Sequence, residues 1–246
     1  MELREGIVIK TIKYQETSKI LYILTSDGLY SCLSRNSLSF KSKNFSYSNS
    51  FLVIEFDASK SKKNSFDILT TGKVVDSLVN VQNDYNKMIK VTEIFSMVYE
   101  IHDYITDYNN LYYLTREIVR GINESKEEVC DNFYLIIFKL KLLYLMGVGP
   151  VFNSCCLCGS NKTIGFSISS GGMICGNHSK NGFLKKEVSK IVEILYLGKI
   201  ELFNLDIFEK FKDYYNEVNN FVNDYYNYHL PLNTKSNKII NKLKSL

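Results

Sequence analysis

Short segments rich in β-branched and aromatic residues alternate with polar turns over the first 79 residues of the chain. This pattern is typical of β-strands. The five predicted strands lie at residues 7–12, 20–25, 29–33, 51–56 and 66–75. A long polar connection at 34–50 separates the third strand from the fourth, and we expect a hairpin loop at 59–65. Five short strands with one long connection predict a small barrel, either an OB-fold or an SH3-like barrel.

Apolar residues recur at helical spacing after about residue 80. The helices that this spacing predicts directly lie at residues 88–101, 111–122, 188–196 and 205–228. A further helix is predicted to start at a cap formed by Asp131 or Asn132, to run to Met146 and to stop at Gly147. Because this helix is apolar on nearly every side, we expect it to be buried at the centre of a bundle.

The chain of 246 residues carries a net charge of +4 that is unevenly distributed. The balance is +3 over residues 1–79, −3 over 80–150, +4 over 151–186 and zero over 187–246. An acidic middle between basic segments is compatible with binding to a polyanion through part of the chain. No apolar run approaches the roughly 20 residues of a membrane span, and the N-terminus lacks the pattern of a secretory signal. We therefore expect a cytoplasmic protein.

Four of the six cysteines cluster, at Cys155, Cys156, Cys158 and Cys175, and His178 follows the last of them. Two residues separate the ligands of each pair in the pattern C-x2-C and C-x2-H, and sixteen residues separate the pairs. This spacing is the mark of a structural zinc site, because a tight turn then directs both ligands of a pair at one tetrahedral ion. The expected ligands are Cys155, Cys158, Cys175 and His178. Cys156 is the expected spare thiol, although Cys155 and Cys156 could exchange roles.

Two other interpretations of the cluster remain open. One is a pair of disulfides, which a cytoplasmic location disfavours. The other is a degraded site in which His178 does not bind metal. Four protein ligands would leave no open coordination position, so the predicted zinc is structural. We expect Cys32 and Cys130, which lie outside the cluster, to pack as small hydrophobic side chains.

Together these patterns predict an α+β protein with several domains. The N-terminal part, residues 1–79, is predicted to be a five-stranded OB-fold β-barrel. An α-helical domain follows in two parts, at 80–150 and 186–246. A small zinc finger at 151–185 is inserted between these two parts.

No motif in the sequence indicates catalysis. The chain contains neither a G-x-x-x-x-G-K-[ST] phosphate-binding loop nor a G-x-S-x-G turn. Metal-dependent hydrolysis needs an open coordination position, which the predicted zinc site lacks. We expect a protein that is not an enzyme and has no catalytic residues.

Three separated groups of residues resemble the RecO family of bacterial recombination and repair proteins. The first group, in the predicted barrel, is Gly6-Ile-Val-Ile-Lys-Thr11 with Tyr14, Lys19-Ile20, Thr25 and Gly28-Leu29. The second group is Gly147-Val-Gly-Pro150 followed by Cys155-x2-Cys158-Gly159 and Gly171-Gly172-x2-Cys175-x2-His178. The third group is Tyr228-His229-Leu230 with Lys235-Ser236. The resemblance covers essentially the whole chain, although the family usually has a fourth cysteine where His178 stands here.

The resemblance implies a protein that binds single- and double-stranded DNA and anneals complementary strands in recombinational DNA repair. The implied partners are RecR, in some systems RecF, and single-strand-binding protein. With them, such a protein helps to load RecA recombinase onto DNA that single-strand-binding protein covers. The implied location is the cytoplasm, in association with the nucleoid.

OB barrels bind single strands through basic surfaces with stacking aromatic side chains. The candidate DNA-binding residues in the predicted barrel are Lys10, Lys13, Tyr14, Lys19, Arg35, Lys41 and Lys43. A basic segment of the family resembles Ser34-Arg35-Asn36-Ser37-Leu38, where Arg35 matches a lysine and Leu38 replaces an arginine. We expect Lys41 and Lys43 to compensate for that loss. Tyr22 and Tyr30 offer further stacking surfaces. Around the predicted finger, the lysines that could extend the basic surface are Lys162, Lys180, Lys185 and Lys186.

Arg116 and Arg120 lie one turn apart on a predicted helix. They are candidates to bind the acidic tail of single-strand-binding protein, or they pair with Glu117 and Glu124. An alternative function also stays open, because the net basicity is weak and Leu38 replaces an arginine. It is a zinc-stabilised adaptor whose barrel binds protein and which has weak or no DNA binding.

Overall fold

A computed structural model of the chain describes residues 3–60, 66–179, 184 and 186–230. Most of the predicted hairpin loop at 59–65, together with Lys180, Lys185 and the Lys235-Ser236 pair, lies outside the described residues. The chain divides into two compact units, Met1–Glu124 and Ser125–Leu246. The four-part division at residues 79, 150 and 185 stays a prediction. No helix among the described residues is long and apolar enough to cross a membrane.

The first unit contains a closed five-stranded barrel. Its strands are β1 (Arg4–Tyr14), β2 (Ser18–Thr25), β3 (Gly28–Ser34), β4 (Leu52–Ser59) and β5 (Asp67–Asp76). Their order around the barrel is β1-β2-β3-β5-β4, in which β3 and β5 pair in parallel and the other neighbours pair antiparallel. This order is that of an OB-fold, so the prediction of an OB barrel is confirmed and the SH3-like alternative is wrong.

The long connection between β3 and β4 packs onto the barrel through Tyr47. The barrel core includes Val8, Leu21 and Phe56, and Tyr47 belongs to the same buried cluster. Gly72 on β5 makes room for the tyrosine, because a Cβ atom at Gly72 would lie 2.6 Å from Cδ2 of Tyr47. The connection is therefore anchored to the barrel at one of its own aromatic side chains.

Three helices complete the first unit: α1 (Val79–Asn83), α2 (Tyr85–Ile101) and α3 (Tyr108–Glu124). α2 begins after Asp84, whose carboxylate accepts hydrogen bonds from the N–H groups of Asn86 and Lys87. α2 contacts β1, and α3 contacts β2. The predictions of α2 and α3 are confirmed, whereas α1 was not predicted because five residues are too few to display a helical period.

The second unit is built around one central helix. Its elements are α4 (Glu128–Leu145), β6 (Thr163–Ser167), β7 (Gly172–Cys175), α5 (Lys186–Leu197), α6 (Leu205–Phe211) and α7 (Tyr215–His229). α4 contacts α5, α6 and α7, and most of its apolar side chains are buried, which confirms its predicted central position.

Two helix boundaries differ from the prediction. α4 begins at Glu128 rather than after Asp131, so the predicted cap is wrong. Asp131 lies within the helix, is buried and accepts a hydrogen bond from the Ser125 hydroxyl. The predicted helix at 205–228 is interrupted by a 3₁₀ turn, Lys212–Tyr214, which separates α6 from α7.

Candidate metal centre and nucleic-acid interface

A turn and a two-stranded ribbon bring the predicted metal ligands together. Cys155 and Cys158 lie on a tight turn in which the Gly159 N–H donates to the Cys155 carbonyl at 2.8 Å. Gly159 has a φ of +72°, a left-handed conformation that favours glycine. Cys175 ends β7, and His178 follows at the end of a single 3₁₀ turn. Because only two residues separate the ligands of each pair, the turn supplies two of the four ligands, and the end of β7 with its 3₁₀ turn supplies the other two.

The distances between the four side chains match a tetrahedral site. Their ligand atoms all lie within 4.8 Å of one another. The Sγ atoms of Cys158 and Cys175 are 3.7 Å apart, and Nδ1 of His178 lies 3.5 Å from Sγ of Cys155 and 3.3 Å from Sγ of Cys175. With Zn–S bonds of about 2.3 Å and Zn–N bonds of about 2.0 Å, a tetrahedron has S–S edges of about 3.8 Å and S–N edges of about 3.5 Å. The cluster can therefore hold a metal ion, and its donors suit zinc.

The hydrogen bonds around the cluster favour a thiolate at Cys155. Burial raises the pKa of this thiol, but backbone N–H groups of the turn and of Cys175, together with the His178 side chain, outweigh burial and lower the pKa to about 6. The Ser160 N–H lowers the pKa of Cys158, but the neighbouring cysteines and burial raise it more, so the net shift is upward. A second thiolate in the cluster therefore needs a cation to compensate its charge, which is what a bound divalent metal supplies.

The structure distinguishes the two adjacent cysteines. Cys155 contributes to the cluster, whereas Sγ of Cys156 lies 3.4 Å from the Ser170 carbonyl oxygen, to which it donates a hydrogen bond. The Cys156 N–H donates to the Met173 carbonyl at 2.9 Å, which fixes the turn to β7. None of the six cysteines forms a disulfide, and Cys32 and Cys130 are buried.

Two of the candidate DNA-binding lysines interact within the first unit. Nζ of Lys10 lies 3.6 Å from the ring centroid of Tyr99 on α2, a cation–π contact. Nζ of Lys19 donates to the Ser48 carbonyl at 3.0 Å and to Oδ1 of Asn49 at 2.6 Å. Burial lowers the pKa of Lys19. These contacts already use part of the binding capacity of each ammonium group, so a phosphate has to compete with them or use the remaining N–H donors.

The other four candidate cations are exposed on the barrel. They are Lys13 near the end of β1, and Arg35, Lys41 and Lys43 in the β3–β4 connection. No aspartate or glutamate occurs from residue 28 to residue 54, so no acidic side chain of this segment offsets their charge. The structure thus places three cations on one ordered, acid-free loop.

The aromatic candidates are less available than the sequence suggests. Tyr14 is half-buried, the ring of Tyr22 packs edge-on against α2, and Tyr30 lies under the guanidinium of an arginine on β1. Sequence reasoning missed Phe40, whose side chain is 85% exposed in the β3–β4 connection. Its only sequence signal is an aromatic residue next to Lys41 in a polar segment.

Arg116 and Arg120 already have acidic partners. Nε of Arg116 lies 3.7 Å from a carboxylate oxygen of Glu5, and Nη1 of Arg116 lies 3.5 Å from a carboxylate oxygen of Asp76. These ion pairs join α3 to β1 and β5. Arg120 forms a 2.6 Å ion pair with Glu117, which is one of the pairings that the sequence indicated.

Comparisons with known proteins agree with this architecture. Family models match both parts of the chain: Recombination protein O N terminal over residues 1–78 and Recombination protein O C terminal over residues 82–238. The chain is 28% identical over 256 residues to the DNA repair protein RecO of Listeria monocytogenes serotype 4b, a match that covers 99% of this chain and 95% of the relative. It is 25% identical to that of Bacillus cytotoxicus, with 97% and 96% covered, and 24% identical to that of Caldanaerobacter subterraneus, with 97% of each covered. The chain belongs to the RecO family.

Proposed function

We propose that this protein is a DNA-binding and strand-annealing mediator of recombinational repair. It binds single- and double-stranded DNA, anneals complementary strands and helps to load RecA recombinase onto DNA covered by single-strand-binding protein. RecR, and RecF where it is present, are the proposed partners. The proposed site of action is cytoplasmic DNA in the nucleoid. Membership of a family whose curated relatives are named DNA repair proteins supports the proposal.

The observation that carries the proposal is the acid-free basic loop on an OB barrel. Arg35, Lys41 and Lys43 are exposed on it, and Lys13 is a further exposed candidate on β1. Binding of Lys and Arg to phosphates releases condensed counterions, which supplies affinity for any sequence. Annealing requires that two polyanions come close together, and a cationic surface screens their repulsion without a catalytic group. The proposed activity is therefore independent of nucleotide hydrolysis.

Zinc is proposed as the metal of the Cys3His cluster. Cys155, Cys158, Cys175 and His178 would hold it, and it would supply structural stability, because four protein ligands leave no position for a substrate or a water molecule. In this proposal the protein is not an enzyme.

Strand annealing tests the proposal directly. Two complementary fluorescent oligonucleotides are mixed with the protein without nucleotide over a series of salt concentrations, and single-strand affinity is measured in parallel. We expect annealing to accelerate at low salt and the acceleration to fade as salt rises. In the variant that replaces Arg35, Lys41 and Lys43 with alanine, the slope of log K against log[salt] should become less negative by about 2.

A charge-matched variant separates local contacts from net charge. It replaces three exposed lysines of the second unit with alanine, namely Lys190, Lys210 and Lys212. Lys190 forms an ion pair with Glu193 on α5, and Lys212, directly after α6, forms one with Glu209. We expect this control to keep most of the affinity. If the unmodified protein neither binds DNA nor accelerates annealing at low salt, the proposal is wrong, and the adaptor function becomes the better explanation.

A further inference from the structure

Phe40 is an exposed aromatic side chain on an ordered loop. Single exposed apolar residues are common on protein surfaces and need no explanation by themselves. Phe40 differs because its backbone is held in place and the loop that carries it also carries three exposed cations. Both features bear on what it could bind.

Hydrogen bonds fix the loop on both sides of Phe40. The buried hydroxyl groups of Ser34 and Ser48 lie 2.7 Å apart, and the Leu38 N–H donates to the Thr17 carbonyl at 2.9 Å. Successive turns follow, with N–H donors at Ser39, Ser42 and Phe45 to carbonyls three residues earlier, at 3.0 to 3.1 Å. Because the loop is already ordered, a ligand that docks on it loses little conformational entropy to ordering the protein.

The ring of Phe40 is supported from within the loop. Its centroid lies 4.5 Å from that of Phe45, at an interplanar angle of 47°. Phe45 is half-buried, whereas Phe40 remains 85% exposed, so Phe45 supports one side of a ring that is otherwise open to solvent. The Asn44 side chain donates to the Arg35 carbonyl at 2.8 Å and accepts from the Tyr47 hydroxyl at 2.5 Å. Asn44 thus connects Arg35, at the start of the loop, to Tyr47, which anchors the loop on the barrel.

Charge selects the class of ligand for this ring. Arg35, Lys41 and Lys43 are exposed on the same loop, and residues 28–54 contain no acid. An acidic peptide could also use the three cations of the loop, but it lacks the planar bases that stack on an aromatic ring, whereas a single strand of DNA offers both phosphates and unpaired bases. Stacking of bases on aromatic rings within a basic surface is the general mode of single-strand recognition.

We propose that Phe40, supported by Phe45, stacks on an unpaired base of single-stranded DNA. The exposed cations of the loop bind the adjoining phosphates. This inference rests on the proposed function and goes beyond it, because it makes Phe40 the residue that distinguishes single strands from duplex. A base that enters a duplex stacks on its neighbours and leaves the ring, so the annealed product is held by phosphate contacts alone and is released more readily.

Replacement of Phe40 by alanine tests the stacking contact. Because one base–aromatic stack contributes about 1–3 kcal/mol, we expect single-strand affinity to fall by about 5- to 150-fold. Duplex affinity and its salt dependence should stay within about twofold of those of the unmodified protein. Tyr104→Ala is the matched control, since Tyr104 is 72% exposed in the same unit and no lysine or arginine lies within ten residues of it along the chain. It should leave both affinities unchanged.

Phe40→Trp gives a direct signal, because the chain contains no tryptophan. This variant should retain single-strand affinity. Its fluorescence should be quenched by an oligonucleotide and much less by an abasic oligonucleotide of the same length, which keeps the phosphates but lacks the bases.

The outcomes separate this inference from the proposed function. Equal losses of single-strand and duplex affinity in Phe40→Ala, no loss of either, or equal quenching of Phe40→Trp by abasic and normal strands would each overturn the stacking contact alone. If the unmodified protein binds no DNA at low salt, the proposed function fails and the stacking contact fails with it.

Discussion

Replacement of Cys158 by serine should abolish metal binding and destabilise the second unit. Cys158 is exposed, and its Sγ lies 3.7 Å from that of Cys175. Serine is nearly the same size but offers a neutral hydroxyl in place of a soft thiolate, so three good ligands remain for an ion that favours four. Bound zinc in the purified protein should fall from about one ion per chain to close to none.

The size of the destabilisation follows from linkage. A ligand that binds only the folded state stabilises it by about 4 kcal/mol when its concentration is a thousand times its dissociation constant. The same substitution at an exposed site without a metal would change the free energy of unfolding by about 0.5 kcal/mol at most. A loss of several kcal/mol therefore reports the metal rather than packing. The helices around the ribbon should share the loss, because His229 at the end of α7 hydrogen-bonds the Ile168 carbonyl beside β6 at 2.6 Å.

Metal content by mass spectrometry and urea unfolding provide the assay, with Co²⁺ as a spectroscopic probe of thiolate ligation. Cys156→Ser is the matched control: the residue lies in the same turn and is more buried than Cys158, yet its thiol lies outside the cluster. The control should keep its metal and most of its stability. Unchanged metal content and melting temperature in Cys158→Ser would refute the ligand assignment, and metal loss in Cys156→Ser would refute the choice of Cys155.

Two further substitutions test the internal role of basic residues in the first unit. Lys19→Met removes the two hydrogen bonds that Nζ makes to residues 48 and 49, so we expect a loss of about 1–3 kcal/mol in stability and faster amide hydrogen exchange over residues 43–50. Unchanged exchange would show that Lys19 does not hold the loop. Arg116→Leu breaks the ion pairs with Glu5 and Asp76 and should lower the stability of the first unit to urea by about 1 kcal/mol. Full stability together with loss of binding to an acidic peptide would instead indicate a partner-binding role.

Local patterns in the sequence predict most of the fold. Strand and helix periods depend on neighbouring residues, which is why the five barrel strands, α2, α3 and the central position of α4 are predicted correctly. The ribbon of β6 and β7 was not predicted, because strands of five and four residues show too little alternation to be recognised. Asp131 illustrates another limit: an aspartate before an apolar run is a typical cap, but here tertiary burial and the Ser125 hydroxyl hold it inside the helix.

The same contrast between local and distant information applies to the candidate sites. The metal cluster follows from the sequence because each pair of ligands belongs to one turn, and only the pairing of the two turns is long-range. The cation–π contact of Lys10 cannot be inferred from the sequence, since its partner Tyr99 lies on a helix far along the chain. Likewise, the exposure of Phe40 depends on how the loop folds back onto the barrel through Tyr47. A lysine or phenylalanine has many compatible environments, and the sequence alone does not select among them.

The internal contacts of Lys10 and Lys19 change the expected balance of forces in DNA binding. If the four exposed candidate cations each contact one phosphate, the slope of log K against log[salt] for a single strand should be about −3. So few phosphate contacts give limited affinity at physiological salt, and a binding energy that does not depend on salt becomes correspondingly important. We expect Lys19 to contribute to that energy indirectly, because its hydrogen bonds to Ser48 and Asn49 hold the loop that presents Phe40. If Phe40 stacks on a base as proposed, removal of Lys19 should therefore weaken single-strand binding even at high salt.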